Sequence, residues 1–142
     1  MLGQSALLCV VICGGILYRS QWHSPAFTLC GGGLLLIGIG SGFAGTVSLG
    51  KNLTPFPRPA AGVRLVQTGI YRHIRHPLYT AVFCASLGWA LVCRSWPALW
   101  AALALAPFFD AKARHEERWL RQQFPEYCDY ERRARRFIPW LY

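Results

Sequence analysis

Apolar positions fall into four runs. Residues 2–18 (LGQSALLCVVICGGILY) and 26–50 (AFTLCGGGLLLIGIGSGFAGTVSLG) carry no charged side chain, and residues 78–93 (LYTAVFCASLGWALVC) and 96–110 (WPALWAALALAPFFD) follow a connection broken by Pro55, Pro57 and Pro59. One helix over 78–109 would be about 48 Å long at 1.5 Å per residue, too long for a hydrocarbon core of about 30 Å. Arg94-Ser95-Trp96-Pro97 interrupts it, with Ser95 suited to an N-cap and Pro97 to a first helical turn. The pattern therefore predicts an all-α polytopic membrane protein: a single membrane domain over 1–142 with four transmembrane helices, a C-terminal helical hairpin and an amphipathic tail. The first run, about 17 residues, is at the low end for a crossing. No Lys or Arg precedes it and no A-x-A follows, so a retained helix is expected rather than a signal peptide.

In the second run, Gly38 and Gly42 form a G-x-x-x-G step and Ser41 and Gly45 a parallel one, which suits close helix packing within the chain more than a dedicated dimer motif. In the tail, Lys112/Glu116 and Glu117/Arg121 are i, i+4 partners. Pro125 ends that helix. Tyr127, Tyr130 and Ala134 share a face of a second short helix. Arg132, Arg133, Arg135 and Arg136 follow beside aromatic residues and read as an interfacial anchor.

Charge sharpens this picture. The chain carries a formal +9, yet no Asp or Glu occurs before Asp110. The basic residues cluster in 51–77 and in the tail, whereas 19–25 and 94–97 hold one Arg each. Such segregation excludes a nucleic-acid binder and points to anionic membrane lipids as partners. Positive-inside counting puts both termini and the polar clusters in the cytoplasm. The six cysteines form no C-x-x-C pair and sit mostly in apolar runs, so they read as small apolar residues. His73 and His76 have H-x-x-H spacing, but Pro77 breaks the helix such a pair needs, and no metal site is expected.

The densest ionisable cluster ahead of the tail is Gly69-Ile70-Tyr71-Arg72-His73-Ile74-Arg75-His76-Pro77-Leu78-Tyr79. Pro77 biases His76 out of the α region and starts a helix. Arg75 and His76 then stand at a helix N-terminus, a place suited to a carboxylate or phosphate. The hairpin returns Lys112, His115, Glu116 and Glu117 to the same membrane face. No Ser/His/Asp or Cys/His nucleophile arrangement is evident.

Leu65-Val66, Gly69-x-Tyr71, Arg75-His76-Pro77-x-Tyr79, Glu116-Glu117-x-x-Leu120, Phe124, Tyr127, Tyr130 and Ile138-Pro139 together resemble the isoprenylcysteine carboxyl methyltransferase family and the broader phospholipid methyltransferases. The resemblance covers roughly residues 51–142. It implies an S-adenosylmethionine-dependent membrane methyltransferase, with a cofactor-binding region over 51–79 and 110–142. Val63, Arg64, Leu65, Val66, Tyr71, His76, Pro77, Leu78, Tyr79 and Glu116 would contact the cofactor. Arg75, Lys112 and Glu117 would act on the acceptor. The prenylcysteine enzymes carry an arginine where this chain has Lys112, which keeps the charge but loses the planar fork. The expected acceptor is a lipophilic small molecule or lipidated substrate, an isoprenylcysteine carboxylate or other small lipophilic acid. Alternatives are a phospholipid or amine N-methyltransferase, an NADPH-dependent enzyme similar to sterol reductases, and a non-catalytic membrane subunit. The oligomeric state is not read from the sequence.

Overall fold

The computed structural model describes residues 2–50 and 65–139. Five α-helices follow in order: α1 Leu2–Leu17, α2 Pro25–Leu49, α3 Pro77–Cys93, α4 Trp96–Gln123 and α5 Tyr127–Arg133, with a 3-10 turn at Gly69–Arg72 before α3. Among the described residues there is no β-strand, only an isolated parallel bridge between Ile74 and Arg135. The all-helical expectation holds, and the helix starts lie within one residue of the apolar runs.

The first four helices run alternately up and down. The start of α1 meets the middle of α4, where Lys112 Nζ donates to Gln4 Oε1 at 2.7 Å. Its end meets the start of α4: Ser95 Oγ caps α4 and donates to the Gly14 carbonyl at 2.7 Å. Small residues make this contact close. Val11, Ala90, Ala98, Ala101, Ala102, Leu105 and Phe109 form the buried core between α1, α3 and α4. The hairpin expected around Ser95 and Pro97 is present, and α4 continues past Asp110 for three further turns to Gln123.

α2 lies along α3 on a stripe of glycines. Gly31, Gly38 and Gly45, seven residues apart, are its buried positions. A methyl group at Gly38 would lie 2.8 Å from the Ala85 nitrogen, and one at Gly88 of α3 would lie 2.6 Å from the Gly31 carbonyl oxygen. The backbones therefore approach as closely as only glycine allows. The expected Gly38/Gly42 step does serve packing within the chain, with Gly42 facing Ala81. On the other side of α2, Leu29, Leu36 and Phe43 repeat at the same seven-residue interval and are exposed. α2 is long and apolar enough to cross a membrane, while α1 and α3 are shorter apolar helices.

At one end of the bundle, two short connections lock together. The Ser20 and Gln21 amides donate to the Cys93 and Arg94 carbonyls, each at 3.0 Å, and Trp22 packs on Trp96. The opposite end carries α5, the 3-10 turn, the lower half of α4 and nearly all the charge. Gly69 enters that turn with φ +60°, against Ser48 of α2, where neither the backbone nor the space admits a side chain.

Candidate functional site

The site grows from the residues around Pro77. His76 is held outside the helical region, φ −124° and ψ 58°, as a following proline favours, and Pro77 opens α3. That geometry turns the imidazole toward α4. Its Nε2–H donates to Glu117 Oε1 at 3.1 Å, and its Nδ1 stands 3.9 Å from Glu116 Oε2. The ring stacks on Tyr79, one turn into α3, with centroids 5.3 Å apart, and Tyr79 in turn stacks on Phe109 at 5.2 Å. The Tyr79 hydroxyl donates to Glu116 Oε2 at 2.7 Å.

Glu116 and Glu117 are neighbours in sequence, so they point roughly 100° apart around α4, and their environments diverge accordingly. Glu117 is buried, 1% exposed, and surrounded by cations. Arg75 Nη2 lies 3.1 Å from its Oε1, and Arg136 grips both oxygens, Nε to Oε1 at 3.1 Å and Nη2 to Oε2 at 2.7 Å. Burial alone would push this carboxyl up. The hydrogen bonds from His76 and Arg136 and the charge of Arg75 outweigh it and hold the group at about 2. Glu116, 26% exposed, keeps contact with the open end of the bundle. Among the described residues its Oε1 has no hydrogen-bond partner.

Arg75 is itself enclosed. Nη1 donates to the Glu131 carbonyl at 3.0 Å and lies 3.4 Å from Glu131 Oε1. Arg121 holds the Glu131 carboxylate in a two-pronged contact at 2.9 and 2.7 Å and, with the neighbouring positive charge of Arg75, keeps that carboxyl below its usual range. The backbone finishes the enclosure. Residues 134–137 run beside 73–76: the Arg135 amide donates to the His73 carbonyl at 3.0 Å, and the Arg75 and His76 amides donate to the Arg135 and Arg136 carbonyls at 2.8 and 3.1 Å. Thr80 Oγ1 adds a bond to the Phe137 carbonyl at 3.0 Å.

The remaining sequence candidates divide. Lys112 projects over the Tyr79 ring, 4.9 Å from its centroid, while bonded to Gln4. Burial lowers its pKa, against the opposing pull of Glu116. Tyr71 is half-buried, its carbonyl accepts the Tyr130 hydroxyl at 2.7 Å, and burial, with Tyr130 and Glu116 nearby, raises its own hydroxyl well above the usual range. Leu65 packs on Tyr127, Tyr130 and Ala134, and Val66 is half-buried. Pro77 and Leu78 face α2 at Gly45, away from the carboxylates. Val63 and Arg64, with the proline-broken connection, lie outside the described residues.

Two participants were not singled out for the site in the sequence. Arg136 was grouped with its neighbours as a lipid anchor, yet it turns inward to Glu117 and to Asp110, at 3.0 Å. Residues 134–137 are extended, so alternate side chains point to opposite sides, and only the pairing with residues 73–76 decides which arginine goes in. Gln4 was detectable as a lone amide in an apolar run.

The architecture is a helical bundle with one helix long and apolar enough to cross a membrane, closed at one end by buried ion pairs and an aromatic stack. The profile of phospholipid methyltransferases matches residues 27–127, and the chain belongs to that family of membrane methyltransferases. It is 32% identical over 139 residues to the nickel-cobalt-cadmium resistance protein NccN of Alcaligenes xylosoxydans xylosoxydans, covering 96% of this chain and 61% of that protein. To the cobalt-zinc-cadmium resistance protein CzcN of Cupriavidus metallidurans it is 38% identical over 78 residues, 54% of this chain and 36% of the relative. The chain thus spans less than two thirds of the length of either. Among solved structures, the eukaryotic intramembrane Ras methyltransferase, an isoprenylcysteine carboxyl methyltransferase, superposes with a TM-score of 0.67 at 20% identity, over 99% of this chain and 52% of that one. That likeness shows a shared fold.

Proposed function

We propose that this protein is an integral membrane methyltransferase that uses S-adenosylmethionine to methylate a lipophilic acceptor at the cytoplasmic end of a four-span bundle. The observation that carries the reading is Glu116: a partly exposed carboxylate with one oxygen on Tyr79 and the other unpartnered among the described residues, set beside an aromatic stack. That donor set fits the cofactor. Glu116 would take its ammonium or ribose hydroxyls, and Tyr79 and Tyr71 would offer faces to adenine or the sulfonium. Leu65, Val66 and His76 would line the same region, joined by Val63 and Arg64. S-adenosylmethionine supplies a methyl group activated for displacement.

The chain's own work is to hold and orient. Arg75 and Glu117, expected from the sequence to act on the acceptor, are engaged with each other and with Glu131, His76 and Arg136. We read them as positioning residues that set His76 and, through its ring, Tyr79. Lys112 is left as the cation for an acid acceptor. A carboxylate acceptor is already nucleophilic and needs no base, which favours a lipophilic acid over an amine-headed phospholipid. An amine would have to shed a proton, and Glu117 at about 2 is a poor base.

We read the alternating bundle as four crossings, with α1, α3 and the first half of α4 joining α2. α1 has 16 residues, about 24 Å by helical rise, and would rely on Tyr18 and Arg19 reaching the interface. The test is isothermal titration of detergent-purified protein with S-adenosylmethionine and, separately, NADPH. We expect saturable heat with the first alone, lost in Glu116→Ala. Heat with NADPH alone would transfer the reading to a reductase, and silence from both in folded protein would favour a non-catalytic subunit. The metal resistance in the relatives' names carries over as a phenotype to test: deletion should lower tolerance to cobalt or cadmium.

A further inference from the structure

Away from the Glu116 site, His73, Arg132, Arg133, Arg135 and Pro139 line a pocket of about 180 Å³. We infer that this pocket binds the phosphate of an anionic lipid headgroup. Among the described residues no carboxylate lines it. Its shape is set by the backbone: the Arg135 amide bonds the His73 carbonyl, so the two walls are joined at 3.0 Å. The alternation that sends Arg136 inward to Glu117 sends Arg135 outward, into the pocket. Arg133 is steadied by its Nε donating to the Asp129 carbonyl at 3.2 Å, and Arg132 makes a loose contact with Asp129, 3.9 Å with both side chains in solvent. Guanidinium groups converging on a concave surface recognise phosphate oxygens by paired N–H donors.

Size and setting choose the ligand. The volume is enough for a phosphate group and small beside sites for cofactor-sized molecules. The pocket lies at the charged end of a membrane bundle, and Ile138, next to its Pro139 wall, is exposed at 49%. An apolar side chain beside a phosphate-sized basic pocket suits a headgroup whose acyl chains remain in the bilayer, more than a free ion. This assignment rests on the membrane reading and not on the cofactor.

The experiment is titration of the detergent-purified full chain with short-chain phosphatidylglycerol, short-chain phosphatidylcholine and inorganic phosphate, in wild type and in Arg133→Gln/Arg135→Gln. We expect saturable phosphatidylglycerol binding, at least about tenfold tighter than phosphatidylcholine and weakened about tenfold or more in the double variant. Arg133→Lys/Arg135→Lys should keep part of the affinity and serves where the glutamine variant does not fold. Equal affinity for the two lipids, or binding unchanged in the double variant, overturns the assignment. Inorganic phosphate binding as tightly as phosphatidylglycerol overturns the lipid as its source. Glu116→Ala should leave this binding intact, which separates its outcome from that of the cofactor site.

Discussion

Arg136 grips Glu117 with two guanidinium nitrogens, at 3.1 and 2.7 Å, across 19 residues of sequence. The contact ties the extended segment after α5 to the C-terminal half of α4 and fixes the carboxylate on which Arg75 and His76 converge. Removing one partner of a buried pair leaves an uncompensated charge, typically at a cost of about 3–5 kcal/mol. With Arg75 and His76 remaining, Arg136→Ala should lose somewhat less, about 2–4 kcal/mol, and unfold at lower temperature in detergent. A melting temperature equal to wild type would show that the pair carries no stability.

Glu117 also sets an acid limit. Its folded pKa is about 2 against an ordinary 4.5. Being depressed, it contributes stability that is complete above about 4.5 and lost as pH falls toward 2. Stability measured from pH 6 downward should therefore drop across that window. In Glu117→Gln the drop should be shallower, with Glu131 supplying a remainder, since its carboxyl is also lowered. An identical slope in the variant would remove Glu117 from the account.

Glu116 should behave oppositely to its neighbour. It is partly exposed and makes one hydrogen bond, from Tyr79, so Glu116→Gln should change stability by no more than about 1 kcal/mol. Cofactor affinity should fall at least about tenfold, because a charge-assisted contact is lost. Calorimetry and thermal unfolding on the same preparation separate the two effects, and retained affinity would defeat the site assignment.

Lys112 and Gln4 define a third test. Lys112→Met should raise the KM for a carboxylate acceptor by about tenfold or more while leaving S-adenosylmethionine affinity near wild type. Gln4→Leu should do the same more weakly, by freeing the ammonium to wander. Reduced cofactor affinity with unchanged acceptor KM would place Lys112 on the cofactor instead.

The glycine stripe predicts a contrast within one helix. Gly38→Leu must push α2 off α3, since even a methyl group meets backbone at 2.8 Å, whereas Gly40→Leu points into open space. The first should cost at least about 1–3 kcal/mol and the second almost nothing. Equal effects in a thermal unfolding series would argue against this packing.

The helices were legible because their signals are local. Ser95 with Pro97 announced a cap, and Pro77 announced a start, and both stand where the sequence placed them. Small residues at 38 and 42 announced a close contact, although the seven-residue set of Gly31, Gly38 and Gly45 that seats α2 needs the partner helix to be seen. The Arg75-His76 entrance and the Glu116-Glu117 pair were legible as two clusters on one face. Their division of labour was not, because adjacent carboxylates look alike until burial and cations tell them apart. Arg136 is the sharpest case. In sequence it is one of four similar arginines, and its inward turn depends on the bridge between Ile74 and Arg135, a pairing 61 residues apart that no local pattern encodes.

The pairing of residues 134–137 with 73–76 also has a consequence for biosynthesis. All four bundle helices are translated before residue 134. Up to that moment Glu117 has no Arg136, and the carbonyls that anchor the Arg75 and His76 amides do not exist. A frameshift or stop codon just beyond α5 would leave every bundle helix in the chain and take away only the partners that hold Glu117, Arg75 and His76 in place.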